Sequence, residues 1–267
     1  ANVDLGCGMI SNSTSLDAGV AFGASEVVAC PIAAVGGLDS GDNWADGTQL
    51  LPFTLAQEDP FKDVYPVTPS GCQKFSNFDT FNDNKPGGVL DLSSQTGTIC
   101  IKENNGNLDI QGDVKLGSAT YVLDATNLKM TNSNAKLSCT GCTFVLTSSS
   151  AATDPSSIGT VSIQGGQTNL TAPSTGPFKG IVFYQDRRAV VGGGTNLING
   201  NATSSFQGAF YFPGQEVTFA GTAGMSTACL QLVARRVTFT GTSAITNTCP
   251  ANSGANAFKG RHVRLVA

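Results

Sequence analysis

The sequence predicts an all-β fold, a single-stranded right-handed parallel β-helix (a β-solenoid) with coils of about 20 residues and one long irregular insertion. Three observations predict it. The phrase V-T-F-A-G-T at 217 returns as V-T-F-T-G-T at 237, and each copy is trailed by a cysteine, Cys229 and then Cys249. Looser copies of the same phrase occur elsewhere at similar spacing. The composition also fits, with charged residues at only 13% and 32 glycines in 267 residues. Outer faces are then built from Thr, Ser and Asn rather than from charge.

Within the phrase, Val217 and Phe219 alternate with Thr218 and Ala220, as Val237 and Phe239 alternate with Thr238 and Thr240. A period of two sends one set of side chains inward and the other outward. Gly221 and Gly241 follow where the chain must turn. A second alternation, Leu230-Gln231-Leu232, precedes Arg235 and Arg236, so one period is expected to hold two short strands and two corners. Residues 108–116 are echoed at 128–137, with Asn132 where the first copy has Gly112. Asn is the next-best residue for a left-handed backbone, so Asn132 is expected to adopt one. Residues 161–170 are a third relative, delayed because 148–157 (SSSAATDPSS) reads as a loop inserted at a corner. Further coils are expected at 197–212 and 20–35. A lone coil buries too little apolar surface to offset the entropy of ordering it, so the coils must stack.

The whole chain, 1–267, reads as one β-solenoid domain. Residues 1–35 are opening coils, and 36–88 break the pattern as an irregular excursion packed on the solenoid. Four of the prolines fall between positions 50 and 69, near Trp44, the only tryptophan, and near Phe75, Phe78 and Phe81. The one stretch with helical spacing, 55–64, is interrupted by Pro60. Coils resume over 89–247, and 259–266 reads as a final strand.

Net charge is −4 and no run of Lys or Arg exceeds two residues, which argues against a nucleic-acid partner. No apolar run approaches ~18 residues, so membrane contact is expected only through a segment absent from this chain. No secretory signal is visible, as in a mature ectodomain. Eight cysteines beside a single histidine point to an oxidising, extracytoplasmic compartment. Residues one coil apart stack within disulfide reach, so Cys229 is expected to bond Cys249 and, by the same logic, Cys7 to bond Cys30. Cys72–Cys100 and Cys139–Cys142 are the pairs that remain.

Each candidate for chemistry competes with a structural reading. Asp39, Asp42 and Asp46, with Asn43, Gly41 and Gly47, form a loose calcium-loop pattern without the closing glutamate, and an ordinary turn-rich loop is favoured over a metal site. Asp186-Arg187-Arg188 is the one charge-dense strand end. There an ion pair is favoured over a lyase-like base, although both arginines stay candidates for binding, as does Trp44. C-T-G-C at 139–142 lies between strand-like segments, so a local disulfide is favoured over a redox or zinc site. His262 lacks an acidic partner or a nucleophile nearby in sequence. Asn12, Asn169 and Asn201 begin sequons that matter only in a eukaryotic secretory pathway. No cofactor is expected.

The order of phrases carries a resemblance. CGMISNSTS (7–15), the Asp-Pro of QEDPF (57–61), GIVFYQDRRA (180–189), FQGAFYFPGQEVTFAGT (206–222), CLQLVARRVTFTGTSAI (229–245) and VRLVA (263–267) resemble the periplasmic or extracellular region of TadG-like proteins of the Tad (Flp) pilus-assembly system. The likeness runs through most of the chain and is best in its C-terminal third. It implies an envelope-associated accessory protein of a bacterial surface appendage, with pilus or envelope proteins, and glycans, as partners. Such proteins typically carry an N-terminal hydrophobic helix, and some a von Willebrand-type domain; neither is found in these residues. The expectation is therefore a non-catalytic protein of pilus assembly or surface adhesion. The alternative is a polysaccharide-binding or pectin-lyase-like, polysaccharide-active β-helix.

Overall fold

Short alternating runs of Val, Ile, Leu and Thr between Gly and Asn turns make short strands, and a computed structural model describes them over residues 2–4, 9–21, 26–29, 31–39, 41–78, 83–199, 204–220, 225–240 and 244–248. The chain is all-β. Among the described residues, helix is confined to two 3-10 turns, Phe75–Asn77 and Pro155–Ser157. The 55–64 stretch forms a turn on extended chain, where Asp59 Oδ1 accepts from the Phe61 N–H just past Pro60.

Five strands precede the irregular stretch: β1 (Asn2–Asp4), β2 (Met9–Ser11), β3 (Glu26–Val28), β4 (Ile32–Ala34) and β5 (Leu50–Leu51). After it come β6 (Val89–Leu92), β7 (Gly97–Ile101), β8 (Asn107–Asp109), β9 (Asp113–Leu116), β10 (Ala119–Asp124), β11 (Asn127–Met130), β12 (Lys136–Thr140) and β13 (Thr143–Thr147). Then follow β14 (Val161–Ile163), β15 (Gln167–Thr171), β16 (Ile181–Gln185), β17 (Thr195–Ile198), β18 (Ser205–Ala220), β19 (Met225–Thr240) and β20 (Ala244–Thr248). Seventeen of these form one large parallel sheet, and β2, β4 and β5 form a second.

From β6 to β15 each strand pairs, in parallel, with the strand three places later in the chain or with its segment of β18. Three ladders result, so each repeat holds three short strands rather than the two expected, because the chain turns a third time between the alternating runs. One runs β6–β9–β12–β15, the second β7–β10–β13–β16, and the third β8–β11–β14–β17. All three continue into β18 and β19, whose register shifts twice where the strand bends from one ladder to the next. The repeated phrase behaves as its period requires, since Val217 pairs with Val237 and Phe219 with Phe239. The looser copies do the same, with Leu108 opposite Leu128 and Leu128 opposite Val161.

Inward-facing Leu, Val, Ile and Phe from the three ladders share one core. Along the second ladder the core becomes aromatic: Tyr121, Phe144, Phe183 and Phe210 follow one another with ring centroids 5.5, 5.6 and 4.9 Å apart. The corners are tight. A Cβ on Gly117 would lie 2.0 Å from the Gln95 carbonyl oxygen, and Gly208, at the first bend of β18, has φ +127. Asn132 departs from expectation, because it does not adopt a left-handed backbone. Its amide instead donates to the Gln111 carbonyl at 2.9 Å and its Oδ1 accepts from the Asn134 N–H, so it secures the corner through its side chain. Gly112 likewise needs no positive φ; a Cβ there would strike the carbonyl oxygens of Asp83, Lys85 and Gly88.

The order of the strands does not follow the chain at its beginning. β1 lies between β20 and β3, with Asn2 opposite both Ala244 and Glu26, so the N-terminal strands continue the first ladder beyond its last strand. Met9, Ile32 and Leu50 pair in turn, and isolated bridges join Gly19 to Leu38 and Val27 to Trp44. Pairing therefore persists to Leu51. The irregular segment is 52–88, shorter than the expected 36–88, because the Gly- and Asp-rich turns after 36 connect paired residues.

That segment travels the length of the ladders in the reverse direction. Thr54 bonds Ala34, Gln57 bonds Asn12, Asp59 bonds Tyr211, Val64 bonds Tyr184 and Cys72 is joined to Cys100. Phe75, only 5% exposed, then packs against the core beside β6–β8, and Asn84 bonds the 109–112 corner. We call residues 52–78 the strap. The final strand expected at 259–266 lies outside the described residues, as do Phe81, Asn201, His262, Gly221, Gly241 and the expected pairs Cys7–Cys30 and Cys229–Cys249.

The aromatic ladder yields a direct test. Phe183 is fully buried between Phe144 and Phe210. Phe183→Ala should destabilise the fold by about 3–5 kcal/mol, read as a lower denaturation midpoint at unchanged slope. A variant as stable as the parent would show that these rings do not set the core.

Candidate functional site

The charge-dense segment predicted from sequence, Asp186-Arg187-Arg188, sits where β16 ends, at the corner between the second and third ladders. The strand stops at Gln185, and the residues that follow form a turn closed by the Ala189 N–H, which donates to the Asp186 carbonyl at 3.0 Å, so the three side chains leave the corner in different directions. Asp186 is buried at this turn, 2% exposed. It accepts hydrogen bonds from Thr147 Oγ1 at 2.7 Å, from the Arg188 backbone N–H at 3.0 Å and from Arg188 Nη2 at 2.6 Å. Burial alone would raise its pKa. The hydrogen bonds and charge of Arg188, with that of Thr147, outweigh burial and hold the carboxyl below its ordinary range.

Two levels away on the same corner, Asp124 repeats the arrangement. Its carboxylate, 4% exposed, takes Lys102 Nζ at 2.8 Å and the N–H and hydroxyl of Ser149 at 2.6 and 3.0 Å. These bonds again overcome burial and lower the carboxyl's pKa. Both acids are saturated, charged acceptors that close a corner. A carboxylate so held is a poor general base, and neither opens onto a groove.

Arg187 reaches into the strap. Its Nη1 donates to the Val64 carbonyl at 2.7 Å and to Tyr184 Oη at 3.2 Å, and its Nη2 donates to the Phe61 carbonyl and to Asp59 Oδ2 at 3.3 Å. The guanidinium lies 5.2 Å from the centre of the Tyr211 ring, close enough for a cation–π contact. Tyr211 donates to Asp59 Oδ2 at 2.7 Å and Tyr184 to the Val64 carbonyl at 2.8 Å. The two tyrosine rings stack at 5.0 Å, and Phe61 meets Tyr211 edge-on. Burial pushes the Tyr184 hydroxyl up to about 12 and raises that of Tyr211, so both remain donors at neutral pH. A planar five-donor cation suits this clasp, which takes two main-chain carbonyls, a carboxylate and a ring face at once.

Sequence reasoning missed Asp59, Tyr184 and Tyr211 as partners of Arg187. The available signal was the Asp-Pro of QEDPF, noted within the resemblance without a role; the 128 residues between Asp59 and Arg187 concealed the contact.

The other candidates lie apart from this corner. Trp44 is half-buried, and its indole N–H donates to the Asp39 carbonyl at 2.7 Å, which ties the 39–44 turn together. The calcium pattern lies in the turns around residue 42. Among the described residues no three His, Cys, Asp or Glu side chains converge to hold a metal, and Asp39 Oδ1 accepts instead from the Gly41 N–H at 3.2 Å. Cys139 and Cys142 are bonded across the turn between β12 and β13, and both are buried. Cys72, bonded to Cys100, lines an open depression of about 510 Å³ with Gln73, Lys74, Asn77, Lys102, Glu103 and Asn104. Two disulfides fit an oxidising environment. Among the described residues no helix is long and apolar enough to cross a membrane.

Two outcomes follow for this corner. Because Asp186 and Asp124 have depressed pKa values when folded, their stabilisation is present above the unfolded carboxylate value of about 3.9 and is lost as pH falls through the folded value. Asp186→Asn should flatten the acid limb of the stability–pH curve, and an unchanged limb would remove Asp186 from that role. At the clasp, a double-mutant cycle of Asp59→Asn with Tyr211→Phe should return a coupling of about 1 kcal/mol; additivity would mean the contact is idle. No protein-family model, curated protein or solved structure matches this chain.

Proposed function

We propose that the chain is a single-stranded right-handed parallel β-helix that serves, without catalysis, as an extracytoplasmic accessory protein of Tad (Flp) pilus assembly or of surface adhesion. The winding is supported by three parallel ladders in which each strand pairs with the strand three later, as a coil of three short strands requires. The family reading is supported by the phrases quoted above, and several of them occupy structurally demanding places. GIVFYQDRRA forms β16 and the corner acid, FQGAFYFPGQEVTFAGT supplies the bends of β18, and the Asp-Pro segment supplies the clasp.

One observation carries the non-catalytic reading. Asp59, Asp124, Asp186, Arg187 and Arg188, the charges best placed for chemistry, are all engaged with one another or with the backbone. What remains for a partner is the long polar outer face. On the first ladder Asp91, Lys115, Ser138, Asn169 and Ser205 line up in register on successive strands. Such a row can contact a pilus or envelope protein, and its amides and hydroxyls equally favour a glycan, which is why polysaccharide binding stands as the second reading.

Deleting the gene and counting surface pili by electron microscopy tests the first reading. Loss or shortening of pili, or loss of surface attachment, is expected; unchanged piliation and attachment would overturn it. Incubation with polygalacturonate separates the alternative. No turnover is expected, and turnover abolished by Asp186→Ala or Arg188→Ala would make the protein an enzyme.

A further inference from the structure

The two disulfides among the described residues sit in opposite surroundings. Cys139 and Cys142 are 5% and 0% exposed within the main core, sealed by the strands on either side. Cys72 is half-buried on the strap and lines the open depression, while Cys100, 8% exposed on β7, lies beneath it. Lys74 is on the wall of the same depression, with Glu103 and with Lys102, whose charge is taken up by Asp124. A positive charge such as that of Lys74 near an accessible disulfide favours both an incoming thiolate and the thiolate that departs.

We infer that Cys72–Cys100 is a thiol-exchange site, open to an external dithiol, that fastens and releases the lower end of the strap, while Cys139–Cys142 is inert. The thiolate of the dithiol attacks Cys72 Sγ, on the less buried residue of the pair. A mixed disulfide forms, the Cys72–Cys100 bond breaks, and its electron pair leaves on Cys100, which takes a proton from solvent. The second thiol of the dithiol then displaces Cys72 as a thiol and leaves as the oxidised disulfide. The protein gains two electrons and two protons, and the dithiol loses them.

The release is local. Val64, Val67 and Cys72 pack against a cluster that includes Val122 and Val145 on the outer side of the second ladder. Opening the bond loosens that cover from below. The upper strap stays held by Arg187, Tyr184 and Tyr211, and the three ladders are untouched. This inference does not depend on the pilus reading.

The test exposes the native protein to dithiothreitol, followed by alkylation and peptide-resolved mass spectrometry. Cys72 and Cys100 should be alkylated about tenfold faster than Cys139 and Cys142, and Lys74→Glu should slow that labelling severalfold. Trypsin should then cut after Lys74 faster in the reduced protein, and equally fast in a Cys72→Ser/Cys100→Ser variant whose circular dichroism matches the parent. Equal labelling of both pairs, or labelling only after denaturant is added, would overturn the exchange site. Unchanged cleavage in the double-serine variant would overturn its hold on the strap.

Discussion

Parallel pairing in constant register sets each side chain directly over its counterpart on the next strand, about 4.8 Å away. In this chain that one constraint decides composition. A position that is apolar on one strand must be apolar on the next, because both enter the same column of the core, as Leu108, Leu128 and Val161 do. Corner positions are constrained as hard. Gly117 has no room for a methyl group, and Asn127 uses both ends of its amide to bond the levels on either side, at Gly106 and Asn107 and at Thr160. Charge is the poorest resident of such columns, since like charges would stack. Where charges do occur in register they alternate in sign, as Asp91 with Lys115 and Asp113 with Lys136 do.

The same constraint explains the strap. An outward face built on strands is free to be polar, yet the second ladder is apolar on both sides, with Val122, Val145, Tyr184 and Tyr211 facing out. A face of that kind needs a cover, and helices that usually cover parallel sheets are absent among the described residues. Residues 52–78 serve instead. Prolines at 52, 60, 66 and 69 limit ladder bonding of the segment to its two ends, at Thr54 and at Gln73, so main-chain carbonyls in between need other partners. Arg187 and Tyr184 satisfy two of them, at Phe61 and Val64. The strap also joins the two ends of the strand order, since the N-terminal strands follow β20 while β6 starts the ladders.

Much of this was legible in the sequence because the period is local. The pairing of Val217 with Val237 and the inserted loop at 148–157 follow from counting residues, and that loop does separate β13 from β14, tucking Ala151 and Ile158 against Ala189. The reversal at the N-terminus was not legible. Nothing in residues 2–4 specifies whether they pair with the next coil alone or also with 244–246, because a three-residue strand carries little register information. The excursion was overestimated for a related reason: Leu38, Trp44 and Leu50 pair through single bridges or a two-residue strand, too short to show alternation. At the corner, the acidic and basic types were visible at 186–188, but the strap partner of Arg187 was hidden by sequence distance.

The divergence of two adjacent arginines shows how such a fold limits its own chemistry. Arg188 turns back to neutralise a buried acid, and Arg187 crosses to the outside to hold the strap. Both roles come from one turn at the end of β16, and both depend on charged hydrogen bonds to fixed partners. Protonation of Asp186 would weaken the corner, and loss of the Arg187 contacts would weaken the clasp. The acids at this corner are therefore committed by the architecture itself. The side chains that the ladders leave pointing outward, the serines, asparagines and alternating charges of the first ladder, can exchange partners without cost to the core.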